Sequence, residues 1–98
     1  MTGNDLLIWL QNWYASQCNG EWEHSYGIHI GTLDNPGWTI DINLRETELE
    51  NKFMNEIEIE RSDDDWIDCF IRDKHFKGNG GPHNLIELLT IFKDWATH

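Results

Sequence analysis

The chain contains 98 residues, of which 18 are acidic and 7 are Lys or Arg, and its formal net charge is −11. The length predicts a single domain over residues 1–98, and a composition that is 39% hydrophobic and 12% aromatic is sufficient for a folded core. The charge disfavours broad contact with nucleic-acid phosphates or anionic lipid, and no apolar run approaches the ~18 residues that cross a bilayer.

The N-terminal sequence and the cysteines indicate a cytoplasmic protein. Residues 1–10 contain Asp5 and no Lys or Arg, so the basic start of a secretory signal peptide is missing. In a reducing compartment we expect Cys18 and Cys69 to remain free thiols. A lone cysteine most often serves as a small buried hydrophobic side chain.

Residues 4–18 have the periodicity of an amphipathic helix, because Leu6, Leu10 and Trp13 lie on one stripe. The candidate caps at its start are Thr2, Asn4 and Asp5. Residues 26–33 and 38–44 then predict the two strands of a β-hairpin. The sequence DNPG at 34–37 has strong turn chemistry, and residues 38–44 alternate apolar with polar side chains.

Two further strands are expected in the middle of the chain, after a polar loop at residues 45–53. Residues 56–60 alternate Glu with Ile, and an acidic turn follows at 62–65. Residues 66–73 predict a fourth strand in which Ile67, Cys69 and Ile71 point inward.

A glycine-rich break at residues 78–81 precedes the last helix. Pro82 suits a first helical turn, and Asn84 with Glu87 has the spacing of a capping box. The apolar stripe that follows consists of Leu85, Leu88, Leu89, Phe92, Trp95 and Ala96.

This order of elements predicts an α+β fold. Three short connections favour a meandering four-stranded antiparallel sheet with the N-terminal and C-terminal helices packed on one face. The opposite face is then open, and its occupants depend on the register, because a slip of one residue would exchange the two faces. The expected occupants are His29, Thr39, Asp41, Asn43, Glu56, Glu58, Glu60, Trp66, Asp68, Phe70 and Arg72.

The negative charge is concentrated in residues 41–68, where 11 acidic and 3 basic side chains give a net charge of −8. One interpretation is a solvated face that keeps a small protein soluble. The other is a docking surface for a basic partner, because like charges share a strand face there and Trp66 stands among them as interface hot spots do. The predicted partner-binding residues are Glu58, Glu60, Asp63, Asp64, Asp65, Trp66 and Asp68, with Asp41 added from the neighbouring strand.

Other patterns give weaker support to a reactive site. The aspartate run at 63–65 lacks the ligand spacing of an EF-hand, and no zinc motif is present, so we expect no metal and no cofactor. Cys18 and Cys69 lack an anion-binding loop beside them. Trp22 is compatible with either a packing lid or an exposed anchor.

Several segments resemble the immunity protein 53 family. They are WLQNWY at 9–14, CNGEWEHSYG at 18–27, GTLDNPGW at 31–38, EIERS at 58–62, DDWI at 64–67, GGPHNL at 80–85 and FKDW at 92–95. The resemblance covers nearly the whole chain, although residues 53–55 have no match in it.

The resemblance implies a non-enzymatic immunity protein of a bacterial polymorphic toxin system. Such a protein binds and neutralises a cognate toxin, and the predicted partner-binding carboxylates suggest that it does so by occluding a basic active-site cleft. Two alternatives stay open from the residues alone, namely a small cysteine- or carboxylate-dependent enzyme and a generic acidic protein-interaction module. An exposed strand edge also leaves a weak homodimer open beside a monomer.

Overall fold

A computed structural model describes residues 3–98 of the protein, so the candidate cap Thr2 lies outside the described residues. The elements in chain order are helix α1 (Gly3–Gln17), the short helix α2 (Trp22–Ser25), strands β1 (Ile28–Leu33), β2 (Gly37–Asn43), β3 (Ile57–Ser62), β4 (Asp65–Arg72) and β5 (His75–Gly80), and helix α3 (Leu85–Thr97). Within residues 3–98, no helix has both the length and the apolar character needed to span a membrane.

The sheet has five strands in the order β1-β2-β5-β4-β3, and every neighbouring pair is antiparallel. The predicted α+β class and the antiparallel sheet are therefore confirmed, while the prediction of four strands is wrong. The predicted break at residues 78–81 is wrong for residues 78–80, because they form the end of strand β5 (His75–Gly80). It lies at the centre of the sheet, so the simple meander is also wrong.

The turn before β5 explains why this strand is hidden in the sequence. Asp73 and Lys74 connect β4 to β5 with positive φ angles of 51° and 63°, the geometry of a two-residue hairpin that usually selects Asn-Gly. In β5 itself, Gly78 and Gly80 occupy inward positions where a strand normally carries apolar side chains. After Phe76, the alternation of polar and apolar residues is therefore replaced by alternation of polar residues and glycine.

Helix α3 leaves little room for a side chain at Gly80. A Cβ atom at Gly80 would lie 3.2 Å from Cδ1 of Leu88, which is tighter than ordinary contact, whereas a Cβ atom at Gly78 would lie at an ordinary contact distance of 3.5 Å from Cδ2 of the same side chain. The helix can therefore approach the middle of the sheet closely. Helix α1 packs against α3, and both helices lie on the same face of the sheet, as the pattern predicts.

The core lies between the helices and this face of the sheet. The predicted helix stripes are confirmed, because Leu6, Leu10 and Trp13 of α1 are buried, as are Leu88, Leu89 and Phe92 of α3. The rings of Phe92 and Phe76 lie 5.0 Å apart between their centroids. The remaining inward strand residues in this core include Ile40, Ile42, Ile67 and Cys69.

The junction of β4 and α3 differs from the predicted capping box. Asn84 precedes α3, but its side chain makes no capping hydrogen bond. Its Nδ2 donates instead to Asp65 Oδ1 at 2.9 Å and to Glu87 Oε1 at 3.1 Å. Asn84 is only 6% exposed, so these bonds satisfy a buried amide and tie α3 to the start of β4.

Candidate functional site

The face of the sheet opposite the helices carries the predicted set of polar residues. In the register of the sheet, His29 lies opposite Asp41, and Glu58 lies opposite Asp68. Strand β5 adds His75, Lys77 and Asn79 to this face, since they pair with Asn43, Asp41 and Thr39 of β2. Sequence reasoning missed these three residues because it did not predict β5.

The acidic half of this face is formed by β3, β4 and the turn between them. Glu60 lies opposite Trp66, next to the pair of Glu58 and Asp68, so the expected placement of Trp66 among carboxylates is confirmed. A shallow cavity of about 270 Å³ is lined here by Glu58, Ile59, Glu60, Trp66, Ile67 and Asp68. We call the residues Glu58, Glu60, Asp63, Asp64, Trp66 and Asp68 the acidic surface.

Of the three consecutive aspartates at 63–65, Asp63 and Asp64 are exposed to a partner, whereas Asp65 makes hydrogen bonds within the protein. Asp63 and Asp64 are exposed between β3 and β4. Asp65 accepts hydrogen bonds from Nδ2 of Asn84 and from Nη1 of Arg61, each at 2.9 Å. These two bonds lower the pKa of Asp65 below its ordinary value. Asp65 therefore borders the acidic surface as an anchor for the turn.

Asp68 has the opposite electrostatic environment. Its Oδ1 atom is buried and has no hydrogen-bond partner within residues 3–98. Burial, followed by a hydrogen bond with Glu56 and the charge of Glu56, raises the pKa of Asp68 above its ordinary value. Burial and an adjacent carboxyl group both disfavour the charged form of Asp68.

Three carboxyl groups approach one another at this point. Oxygen atoms of Glu56, Glu58 and Asp68 lie within 4.8 Å of one another, and they form the one group of three potential metal ligands found in residues 3–98. Glu56 and Glu58 are exposed, and exposed acidic groups commonly lie this close without an ion. We therefore assign no metal to them.

Asp41 does not join the acidic surface. Strands β4 and β5 lie between β2 and β3, so the expectation that Asp41 occupies the strand next to the other acids is wrong. Asp41 accepts hydrogen bonds from Lys77 Nζ at 2.6 Å and from His75 Nδ1 at 2.5 Å. Partial burial alone would raise the pKa of Asp41, but these two partners outweigh it and lower the pKa.

The hydrogen-bond partners of His75 indicate which of its ring nitrogens carries the hydrogen. Nη1 of Arg45 lies 3.1 Å from Nε2 of His75, and a guanidinium can only donate, so Nε2 is the acceptor and Nδ1 carries the hydrogen. A polar cavity of about 230 Å³ lies beside this group, lined by Ser25, Tyr26, Gly27, His29, Asp41, Asn43 and His75. The open face thus has an acidic half and a charge-compensated half.

The cysteines and Trp22 have structural roles. Cys69 is fully buried, and burial raises the pKa of its thiol to about 12, so it is not a nucleophilic thiolate near neutral pH. Cys18 is also free, and its Sγ donates to the carbonyl of Tyr14. Trp22 is only 2% exposed and donates from Nε1 to the carbonyl of Arg45. It is therefore part of the core.

Comparisons with known proteins identify one family. The model of the family described as immunity protein 53 matches residues 7–97, which is nearly the whole chain. Neither the curated proteins nor the solved structures contain a match. The match extends from the first turns of α1 to the end of α3, so it includes every strand of the sheet and the whole acidic surface. The chain therefore belongs to the immunity protein 53 family.

Proposed function

We propose that this protein binds a cognate toxin domain of a bacterial polymorphic toxin system and neutralises it by covering its active site with the acidic surface. The observation that carries the proposal is the position of Trp66. It lies opposite Glu60, beside the pair of Glu58 and Asp68, on the sheet face opposite α1 and α3. A large aromatic side chain within a charged, accessible surface is typical of a binding hot spot. Family membership supplies the role of an immunity protein.

A toxin with a basic active-site cleft, such as a nuclease, fits this surface best. Carboxylates along β3 and the turn would take the place of substrate phosphates, and their field would accelerate association to about 10⁸–10⁹ M⁻¹s⁻¹ at low salt. Trp66 would contribute buried apolar area and slow dissociation. Asp41 and Asp65, whose charges are already compensated, would lie at the margins of the contact. The two free thiols are compatible with action in the cytoplasm.

Charge reversal in the turn tests the proposal. The double variant Asp63→Lys/Asp64→Lys removes two carboxylates without touching the bonds that Asp65 makes with Arg61 and Asn84. We expect it to weaken binding to the toxin domain encoded beside this gene by at least about tenfold. The loss should be largest at low salt, as measured by association kinetics, and rescue of cells that express the toxin should fail.

The matched control is Glu21→Lys/Asp73→Lys, at the other end of the sheet. Each substitution adds two units of charge, so either double variant changes the net charge from −11 to −7. Both Glu21 and Asp73 are exposed. Equal binding by the two variants and the native protein, with unchanged salt dependence, would exclude the acidic surface as the binding site.

A further inference from the structure

Among residues 3–98, the outer edge of β3 has no neighbouring strand. β3 ends the sheet and pairs with β4 alone, and from Glu58 onward every residue of the strand is exposed. No backbone hydrogen bond from elsewhere in residues 3–98 reaches this strand. An open strand edge of this kind is a template for the addition of another strand.

The hydrogen-bond pattern identifies the free backbone groups. Gly81 donates its N–H to the carbonyl of Trp66 at 3.1 Å, so the backbone groups of Trp66 point toward β5. Because successive residues of a strand point to opposite sides, Ile67 and Cys69 face β3, where they pair with Ile59 and Ile57. The intervening residues Glu58 and Glu60 therefore direct their N–H and C=O groups outward.

The side chains along this edge define the complementary strand. Glu58 and Glu60 line the open face of the sheet, whereas Ile57 and Ile59 lie on the helix side. A groove of about 390 Å³ opens on that side, lined by Met54, Asn55, Ile57, Ile91, Asp94 and Trp95. Phe53, which is 76% exposed, precedes it. An added strand would thus meet carboxylates on one face and mostly apolar atoms on the other.

Charge argues against a second copy of this chain as the occupant. Pairing of β3 with β3 would bring Glu58 and Glu60 next to the same residues of the copy, and like charges across a strand pair are destabilising. The other edge of the sheet, β1, carries no acidic residue. Only the β3 edge therefore combines free backbone groups with a charge that selects a partner.

We propose that the β3 edge binds an extended segment of the toxin domain, in which Lys or Arg alternates with apolar residues, as a sixth strand of the sheet. This inference rests on the proposed function, because it names how the partner reaches the acidic surface. The basic side chains of that segment would lie against Glu58 and Glu60, and its apolar side chains would enter the groove beside Ile57.

A synthetic probe tests the edge without the toxin. The probe is a short, end-capped peptide in which lysine and valine alternate, and its control has the same composition with the lysines and valines in separate blocks. In an NMR titration of ¹⁵N-labelled protein, we expect the alternating peptide to shift the amide signals of Glu58 and Glu60 and to bind at least about tenfold more tightly than the control. Equal binding of the two peptides would overturn the proposal.

Proline variants separate the backbone from the charge. Glu58→Pro removes an outward N–H while the bonds between β3 and β4 remain, and proline is tolerated at such edge positions. We expect it to bind the alternating peptide about tenfold more weakly than Glu58→Gln, which lacks the same charge. The matched control is Thr32→Pro. Asn43 donates to the carbonyl of Gly27, so by alternation Thr32 directs its N–H outward on the edge of β1, and its substitution should leave binding unchanged.

The outcomes distinguish the edge from the proposed function. If Glu58→Pro neutralises the toxin as well as Glu58→Gln does, while Asp63→Lys/Asp64→Lys fails, the edge proposal is wrong and the acidic surface stands. If the protein sediments as a dimer that Glu58→Pro dissociates, a second copy occupies the edge and the proposal is also wrong. Should Glu58→Pro fail to fold, a peptide N-methylated at alternate residues provides the same test from the ligand side, and undiminished binding would refute the edge.

Discussion

Two aspartates on the open face differ in what they contribute at neutral pH. Asp41 accepts hydrogen bonds from Lys77 and His75, which lower its pKa despite partial burial. Asp68 has a buried oxygen atom to which no described residue hydrogen-bonds, and it lies beside Glu56, so its pKa is raised. The same residue type on the same sheet face thus stabilises the fold at one position and strains it at the other.

The substitution of Asp by Asn at each position should therefore have opposite effects. Asp41→Asn removes the charge that Lys77 and His75 bind, and we expect it to lower the free energy of unfolding at pH 7 by about 1 kcal/mol. Asp68→Asn removes a charge that burial and Glu56 oppose, and we expect it to raise the free energy of unfolding at pH 7. Urea denaturation of both variants measures the two changes.

The pH dependence provides the check on each sign. A lowered pKa means that the stabilisation by Asp41 is present above its unfolded-state pKa and disappears as the pH falls through its lower folded-state pKa. A raised pKa means that the Asp68 carboxyl does not destabilise the native protein below its unfolded-state pKa. The destabilisation appears as the pH rises and is complete above the folded-state pKa. The difference between Asp68→Asn and the native protein should therefore shrink in acid. A variant that stays more stable by the same amount at acid pH would contradict this assignment.

At the scale of elements, the sequence predicts the helices and strands in which apolar residues recur at a regular spacing. It does not reveal β5, in which glycine occupies most of the inward positions. Leu6, Leu10 and Trp13 mark α1 because few structures other than a helix bring apolar residues at this spacing onto one side. β5 escapes because two of its three inward positions are Gly78 and Gly80, and because its turn uses residues other than Asn-Gly. The alternation of His75, Lys77 and Asn79 is compatible with a strand. It indicates one only when α3 is known to pack over the intervening glycines.

The candidate site depends on the same distinction. The acidic residues of β3 and β4 are predictable because Glu and Ile alternate over residues 56–60 and because a hairpin fixes which residues face each other. The separation of Asp41 from them is not predictable, since it depends on a strand inserted between β2 and β4. Likewise, the role of Asp65 depends on Arg61 and Asn84, which approach it only in the folded protein.

The backbone of the turn between β3 and β4 lies so close to Gly81 that a side chain at this position would clash with it. A Cβ atom at Gly81 would lie 2.3 Å from the backbone oxygen of Asp64, so Gly81→Ala must displace the turn between β3 and β4. We expect it to lower the free energy of unfolding by about 2–3 kcal/mol. Gly78→Ala is the matched control, because its Cβ would lie 3.4 Å from the nearest atom, in Phe76. Equal stability of the two variants in urea denaturation would show that the turn adjusts without cost.

At the scale of the whole molecule, the charge of −11 is distributed unevenly over the sheet. Lys77 compensates the charge of Asp41 in one half of the open face, and Arg61 compensates Asp65 and Glu87 at the start of β4. Within residues 3–98, no salt bridge joins a carboxylate of the acidic surface to a cation. The repulsion among these carboxylates is a cost to the isolated protein that a basic partner would relieve.

Salt should therefore stabilise the free protein. An increase in NaCl from about 0.01 M to about 0.15 M shortens the Debye length from ~30 Å to ~8 Å, which screens repulsion across the acidic surface. We expect the free energy of unfolding in urea to rise by about 1 kcal/mol over this range. The rise should be clearly smaller in Asp63→Lys/Asp64→Lys. Glu21→Lys/Asp73→Lys has the same net charge but an intact acidic surface, so it should retain most of the rise. If both variants show the same rise in the free energy of unfolding with salt, then the rise depends on net charge and not on repulsion within the acidic surface.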